Sequence, residues 1–131
     1  IIEISGVSLE APAPFESDED HLGEALMKPT RIYQQAVKTA LAVGGINGIA
    51  HVTGGGLIAN FKRSIPKNIK FDLDIGKLPD EYDFIKNNIK ISQKELLEVF
   101  NCGIGMVFII DKKYYTKFIK RKFFKLIGEI R

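Results

Sequence analysis

Tryptophan is absent from this chain of 131 residues, and cysteine is present only once. The single cysteine, Cys102, has no disulfide partner within the chain, which excludes a disulfide-stapled scaffold and favours a reducing compartment. We therefore expect a cytoplasmic protein. A lone cysteine is a candidate nucleophile, but a small buried side chain is the more frequent case.

Histidine is also scarce, since the two histidines, His21 and His51, are 30 residues apart and have no cysteine near them. This arrangement argues against a zinc site, so we expect no metal ligands here. Long hydrophobic runs are missing as well, because stretches such as 106–110 fall far short of the roughly 20 apolar residues of a membrane helix. The chain opens without an initiator methionine or a basic and apolar leader, so we expect a piece of a longer polypeptide without a signal peptide.

Charge is distributed unevenly, although the net charge is only +3. Residues 1–27 carry seven acidic side chains and no basic one, whereas residues 112–131 carry eight basic side chains and one acidic one. Basic residues interleaved with aromatic ones are typical of nucleic-acid or anionic-membrane binding. The apolar residues nevertheless follow one helical stripe: Tyr114, Tyr115, Phe118 and Ile119. This spacing favours a helix with a solvated lysine face, so we expect neither nucleic acid nor a membrane as a partner.

The length corresponds to about one domain, and 45% apolar with 27% charged residues is ordinary for a globular protein. Periodicity predicts a mixed order of helices and strands. The predicted helices cover residues 30–43, 57–65, 80–86 and 93–100, followed by a basic helix after 112. The predicted strands cover residues 1–9, 69–75, 104–110 and 123–130, with an exposed acidic connection at 10–20.

Two of these elements have especially clear signals. Ser92 and Glu95 match a capping box, with serine at the N-cap and glutamate at the third helical position. Residues 104–110 are almost wholly apolar, which predicts a central strand covered on both faces.

The most informative motif is His51-Val52-Thr53-Gly54-Gly55-Gly56. Glycines without Cβ atoms allow a bound group to approach main-chain N–H donors closely, and such donors form a cradle for phosphate. The histidine and threonine add a titratable group and a hydroxyl. The alternative is an ordinary glycine turn beside a satisfied histidine. A Walker A loop is excluded, because no Gly-Lys-Ser/Thr closes the turn, and no serine lies in a nucleophile elbow.

A second glycine turn, Asn101-Cys102-Gly103-Ile104-Gly105, precedes the predicted central strand. Ligands often bind at strand ends in α/β sheets, although this turn lies at the N-terminal side of its strand. A tight turn held by an asparagine side-chain bond is the alternative.

Four motifs occur together in a fixed order: LGEAL at 22–26, PTRIY at 29–33, HVTGGG at 51–56 followed by Asn60, Arg63 and Pro66, and FNCGIGM at 100–106. Their series resembles the C-terminal domain of phosphoribosylformylglycinamidine cyclo-ligase, also called aminoimidazole ribonucleotide synthetase. The resemblance extends from about Gly6 to the C-terminus. The PTRIY and FNCGIGM stretches favour the cyclo-ligase over its relatives, which include selenophosphate synthetase, thiamine-monophosphate kinase, the hydrogenase maturation dehydratase and formylglycinamidine ribonucleotide synthase.

The resemblance implies an α/β fold of the α+β type, with three α/β/α layers around a mixed sheet. It implies that residues 1–21 are a strand and connection from a missing N-terminal ATP-binding domain, and that 22–131 are the C-terminal domain. In the family, the N-terminal domain supplies most of the site for ATP and Mg²⁺ and forms the homodimer interface. We expect the same partners here, and no turnover by the isolated chain.

The implied reaction is a step of purine biosynthesis. ATP phosphorylates the amide oxygen of formylglycinamidine ribonucleotide, a neighbouring nitrogen attacks that carbon, and phosphate departs to leave aminoimidazole ribonucleotide. The residues expected to hold the substrate or its phosphate are His51, Thr53, Gly54, Gly55, Gly56, Thr30, Arg31, Asn101 and Arg63. Thr30 and Arg31 are expected at a helix start, where a guanidinium can pair with phosphate, and an ordinary ion pair is the alternative for Arg31. Structural roles are the alternative for Asn101 and Arg63.

The chain departs from the family pattern in places. Glu98 stands where the family tends to have arginine, which reverses a charge one turn before the Asn-Cys-Gly turn. Segment 79–91 lacks the usual aromatic pattern, so specificity has room to differ. The functional alternatives are another member of the same superfamily and a non-catalytic module that binds anions through its basic tail.

Overall fold

A computed structural model describes residues 2–131 of the chain. The helices in this range are α1 (Ile2–Ser5), α2 (Leu22–Leu26), α3 (Gln34–Val43), α4 (Gly56–Lys62), α5 (Asp80–Ile89), α6 (Gln93–Val99) and α7 (Tyr115–Ile119), with a 3₁₀ turn at Lys112–Tyr114 before α7. The strands are β1 (Ile46–His51), β2 (Phe71–Leu73), β3 (Met106–Ile110) and β4 (Gly128–Ile130). None of the helices between residues 2 and 131 has the length and hydropathy to cross a bilayer.

The strands of the described range form two antiparallel pairs. β1 pairs with β3, so that Ala50 lies opposite Val107 and Ile49 opposite Phe108. β2 pairs with β4, with Asp72 opposite Glu129. The α+β class is confirmed, but the strands make two two-stranded antiparallel sheets in place of one mixed sheet.

The core lies between the inner face of the β1–β3 pair and helices α4, α5 and α6. Leu57 of α4 and Leu96 of α6 are completely buried. Ala50 and Val107, which face each other across the sheet, are buried on the same side. The capping box of α6 is confirmed, because the Ser92 hydroxyl accepts from the Glu95 amide while the Glu95 carboxylate accepts from the Ser92 amide.

The predicted strand at 1–9 is wrong over the residues that the structure describes, and residue 1 lies outside them. Helix α1 occupies Ile2–Ser5 and ends at Gly6, whose φ is +68°. The apolar residues of this stretch are not paired with any strand in the described range. The segment is rich in residues that favour strands, but no strand of the described range lies beside it to form a sheet.

Sequence reasoning missed two elements, helix α2 (Leu22–Leu26) and strand β1 (Ile46–His51). The sequence of β1, INGIAH, has a glycine in the middle and follows Gly44 and Gly45, so neither strand nor helix periodicity is visible. The strand exists because β3 pairs with it. Gly48 lies opposite Ile109, and a Cβ at Gly48 would be 3.0 Å from the Ile109 side chain.

The expectation that 104–110 is covered on both faces is also wrong. Within residues 2–131, β3 (Met106–Ile110) has β1 as its one neighbouring strand, and only Val107 of the strand is fully buried. Its outer face is covered in part by Phe124, whose ring lies 5.4 Å from that of Phe108. An apolar sequence is consistent with central strands, but it does not show how many layers cover them.

Most of the other observed elements have the type that the sequence predicted but differ from the predictions in length. The predicted helices 30–43, 57–65 and 80–86 appear as α3, α4 and α5, and the predicted strands 69–75 and 123–130 shorten to β2 and β4. Phe123 and Phe124 lie in a turn, where the Phe124 ring contacts that of Phe118 at 5.0 Å. In α7, Phe118 is buried as the stripe predicted, whereas Ile119 is 44% exposed.

Candidate functional site

The glycine motif forms the connection between β1 and α4. Gly55 has φ of +90° and Gly56 has φ of +72°, conformations that side chains with a Cβ rarely adopt. The entry to the loop is fixed by Val52, whose amide donates to the carbonyl of Gly105 at 2.9 Å. The loop therefore needs glycine at positions 55 and 56 for backbone reasons, whether or not a ligand binds there.

Asn60 holds this loop from the inside. Its side chain is buried, with 7% exposure, and its Nδ2 donates to the carbonyls of Gly56 at 2.7 Å, Gly54 at 3.2 Å and Thr53 at 3.3 Å. The loop carbonyls are thus turned toward the protein interior. Gly54 and Gly55 are exposed, and across residues 2–131 their amides donate to no acceptor. Two main-chain donors are therefore free for an external anion.

Arg63 supplies a positive charge beside these donors. Its Nε donates to the Ala59 carbonyl at 3.3 Å, which folds the side chain back along α4. Its Nη2 consequently lies 3.7 Å from the position that a Cβ of Gly55 would occupy. The structure therefore brings the guanidinium of Arg63 close to Gly55.

His51 and Thr53 flank the loop on its strand side, and both are exposed. The His51 ring packs edge to face with Tyr33, with ring centroids 6.1 Å apart. Tyr33 in turn lies against the backbone of Gly105, where any Cβ would overlap its hydroxyl. His51 thus packs against an aromatic neighbour that lies at the end of the second turn.

The second turn is held by Asn101. Its Oδ1 accepts from the hydroxyl of Tyr82 at 2.6 Å and from the amide of Gly103 at 3.0 Å. The alternative of a tight turn held by an asparagine side-chain bond is thereby confirmed. Burial raises the pKa of Tyr82, in keeping with a phenol that donates its proton to a partly buried neighbour.

Cys102 lies in this turn with φ of +49° and is 2% exposed. Burial raises its pKa to about 11 from the usual 9.0. A thiol that remains protonated at neutral pH is a poor nucleophile. The side chain therefore serves as a small apolar core residue.

Thr30 and Arg31 do not lie at a helix start, because α3 begins at Gln34. Both are exposed in an irregular segment. The helix was predicted to begin at Thr30, and no signal in the sequence around Pro29 indicated that it begins four residues later. Within the described part of the chain, Arg31 forms no ion pair. The ordinary ion pair considered for Arg31 is therefore not formed.

The C-terminal end of α6 lies against the loop. A Cβ on Gly56 would be 2.5 to 2.6 Å from backbone atoms of Leu97 and Glu98, so only glycine fits there. The departure at Glu98 is thus located beside the glycine loop. An acidic residue and helix C-terminal carbonyls disfavour an anion, which makes the cation of Arg63 the main favourable charge.

Two residues of this site carried no assigned role at the sequence level. Asn60 fixes the loop and Tyr82 fixes the second turn. The signal for Asn60 is its position four residues after Gly56, where its amide reaches that carbonyl within one helical turn. No comparable local signal exists for Tyr82, because its partner is 19 residues away.

The described residues contain no group of three or more histidine, cysteine, aspartate or glutamate side chains suited to a metal ion. A groove of about 570 Å³ is present, but it lies between residues 15–28 and α5, and the glycine loop does not line it. The exposed residues Gly54 and Gly55 therefore lie outside this groove.

Residues 2–129 match a family model described as AIR synthase related protein, C-terminal domain. The match includes the glycine loop, Arg63 and the Asn101 turn.

Proposed function

This chain belongs to the AIR synthase related protein family through its C-terminal domain, and we propose that it is the substrate-side part of an ATP-dependent cyclo-ligase. The superfamily generally contains ATP-dependent enzymes. The reaction we propose converts formylglycinamidine ribonucleotide to aminoimidazole ribonucleotide. The PTRIY and FNCGIGM stretches support this member of the superfamily over the others.

One observation carries the proposal: in the described residues the amides of Gly54 and Gly55 have no acceptor, and the guanidinium of Arg63 lies beside Gly55. Main-chain N–H groups and a guanidinium are the donors that phosphate prefers, and hydrogen bonds with charged partners are stronger than neutral ones. The chemical class of ligand that fits is a phosphate monoester, such as the 5′-phosphate of a ribonucleotide.

The residues of this chain then bind and orient the substrate. Asn60 keeps the loop carbonyls turned inward, so that the amides face the phosphate. His51 and Thr53 add donors at the rim of the loop, and Thr30, Arg31 and Asn101 remain candidates for weaker contacts. Holding the phosphate leaves the reacting amide at a fixed distance from this loop, which favours ring closure by orientation.

ATP and Mg²⁺ are assigned to a separate N-terminal domain, which also provides the homodimer interface in this proposal. The described residues contain no group of three or more histidine, cysteine, aspartate or glutamate side chains placed closely enough to hold a metal ion. The isolated chain should accordingly bind the ribonucleotide without converting it. Measurable cyclisation by the 131-residue chain alone would contradict this division of labour.

The test is a calorimetric titration with formylglycinamidine ribonucleotide and with the same riboside lacking phosphate. Binding should require the phosphate, and Arg63→Gln should weaken it by roughly tenfold or more, since hydrogen bonds to charged groups contribute about 1.5–3 kcal/mol. Arg121→Gln is the matched control, because it removes an exposed arginine from another part of the chain. The proposal would be overturned if the chain bound the two compounds with equal affinity. It would also be overturned if the Arg63→Gln variant bound the ribonucleotide as tightly as the parent chain does.

Two alternatives have distinct outcomes. Preference for thiamine monophosphate or for selenophosphate in a competition experiment would assign the chain to another member of the superfamily. A non-catalytic anion-binding module is favoured by the cations between residues 117 and 125, which are exposed. In that case replacing the lysines of this segment would weaken anion binding, and the affinity would fall steeply as the salt concentration rises.

A further inference from the structure

A groove of about 570 Å³, here called the acidic groove, separates residues 15–28 from α5. Its lining includes the aromatic rings of Phe15 and Tyr82 and the carboxylates of four residues: Glu16, Asp18, Asp80 and Glu81. Lys28 is the cation among the residues that line it. The groove therefore combines an aromatic floor with a net negative charge.

The charges of the acidic groove are only partly compensated. Lys28 pairs with Asp18 at 3.2 Å, and Lys77 pairs with Asp80 at 3.0 Å, both on the surface. Surface pairs of this kind contribute little and leave their carboxylates accessible. Across residues 2–131, Glu16 and Glu81 have no ion pair. The groove thus fits a positively charged surface that also carries apolar side chains.

Residues 117–126, here called the basic ridge, have this composition. Five cations of the ridge have no carboxylate partner in the described part of the chain: Lys117, Lys120, Arg121, Lys122 and Lys125. Three apolar side chains of the ridge are exposed, Ile119 by 44%, Phe123 by 54% and Leu126 by 56%. Large apolar side chains exposed together mark interaction surfaces more often than single ones do.

The two surfaces lie on either side of one short segment, residues 75–80. On the ridge side, the Nζ of Lys125 donates to the carbonyl of Ile75 at 3.3 Å. On the groove side, Lys77 pairs with Asp80, and Glu16 helps to raise the pKa of Lys77. Because the patches of opposite charge are neighbours, a two-fold axis between two copies can bring each ridge to the other copy's groove.

We infer that two copies of this chain associate through this pair of surfaces, with the basic ridge of each copy in the acidic groove of the other. The occupant is a second copy because the charges are complementary, both surfaces have unpaired charges, and their proximity allows two equivalent contacts to close. In this arrangement Phe123 contacts the aromatic floor of the groove. The inference is independent of the proposed function, since neither surface includes the glycine loop.

The experiment is sedimentation velocity of the 131-residue chain at ionic strengths of about 0.05 and 0.5 M, which bracket physiological screening. A dimer is expected at the lower salt and its dissociation at the higher salt. The groove variant Glu16→Lys with Asp18→Lys, and the ridge variant Lys120→Glu with Lys122→Glu, should each raise the dissociation constant by roughly tenfold or more, because like charges then face each other. All four side chains are exposed, so both variants should fold.

The decisive measurement is a mixture of the two variants. The groove variant and the ridge variant have complementary charges, so an equimolar mixture should form a mixed dimer that neither forms alone. The fourfold variant, with both reversals in one chain, should dimerise by itself. Lys67→Glu with Lys94→Glu is the control. It changes the net charge by the same amount as the ridge variant does, on exposed residues outside both surfaces.

A second variant tests the apolar part of the contact. Phe123→Ala keeps every charge and should weaken the dimer while leaving the circular dichroism spectrum unchanged. A chain that is monomeric at both salt concentrations would overturn the inference. A dimer that persists in both reversal variants, or the absence of a mixed dimer, would overturn it as well.

Discussion

The hydroxyl of Tyr82 donates a 2.6 Å hydrogen bond to the Oδ1 of Asn101, which lies 19 residues later in the chain. The same oxygen accepts the amide of Gly103 at 3.0 Å. One carboxamide thus joins the first turn of α5 to the turn that precedes β3. Cys102, which has a left-handed backbone with φ of +49°, lies inside this turn.

Tyr82→Phe should lower the free energy of unfolding by about 1 kcal/mol, the usual net value of one hydrogen bond. The ring remains, so its contact with Phe100 at 6.0 Å is preserved and only the hydroxyl is lost. Urea denaturation measures the change. Tyr115→Phe is the matched control, because the Tyr115 hydroxyl makes no hydrogen bond within residues 2–131. Equal stability of the two variants would show that the bond to Asn101 is not significant.

Gly56→Ala should destabilise the protein severely, by more than about 2 kcal/mol, because strain and overlap act together. The residue has φ of +72°, and its new Cβ would be 2.5 Å from the backbone of Glu98. The overlap is with main chain, which cannot move aside as a flexible side chain does. Thermal or urea unfolding of the variant and of the parent chain measures the difference in stability.

Gly54→Ala is the control for this substitution. A Cβ at Gly54 meets no atom within 4 Å, and its φ is not in the left-handed region. Its stability should be within about 0.5 kcal/mol of the parent, as is usual for exposed sites. Equal stability of the Gly54→Ala and Gly56→Ala variants would contradict the close packing of α6 against Gly56.

Cys102 should react slowly with iodoacetamide in the folded protein. Its pKa of about 11, against the usual 9.0, leaves a thiolate fraction roughly 100-fold smaller at pH 8. Alkylation followed by mass spectrometry should therefore be slow in native buffer and rapid in denaturant. Comparable rates in the two conditions would contradict the burial of this thiol.

The raised pKa of Cys102 also predicts a loss of stability at high pH. The folded state binds the thiol proton more tightly than the unfolded state does, so this contribution is complete below pH 9. It is lost as the pH rises from 9 toward 11. Cys102→Ala should unfold with a flatter pH dependence over the same interval, which a set of urea titrations can measure.

Ser92→Ala should lower stability by about 1 kcal/mol, the typical value for loss of an N-cap. The Ser92 hydroxyl accepts from the Glu95 amide at 3.2 Å, and hydrogen bonds from Ser92 lower the pKa of Glu95. Ser92→Thr retains the capping oxygen and should recover most of the stability. A threonine variant as unstable as the alanine variant would rule out capping as the cause.

Several features of the fold were predictable because their causes are local. The capping box at Ser92 requires residues three positions apart, and the glycine loop requires consecutive residues without Cβ atoms. Helices α3, α4 and α5 follow from periodicity along a single segment. In the candidate site, the proximity of Arg63 to the glycine loop is local too, since one helix joins them.

Other features depend on distant parts of the chain. Strand β1 forms because β3, about 60 residues later, pairs with it, and no pattern within its own six residues indicates this. The bond from Tyr82 to Asn101 and the packing of Glu98 on Gly56 likewise join separate elements. The exposure of Phe123 beside the basic side chains was not visible either, because the pattern that predicted a strand at 123–130 does not show which side chains find a partner.

The sequence by itself determined the elements with short-range causes, the family motifs and the uneven distribution of charge. Tertiary structure alone decided which strands pair, which face of the glycine loop is free, and that the acidic groove and the basic ridge are neighbours. The physical reason is range: propensity, capping and glycine conformation act over a few bonds along the chain. Pairing, burial and surface charge depend on which distant residues come into contact.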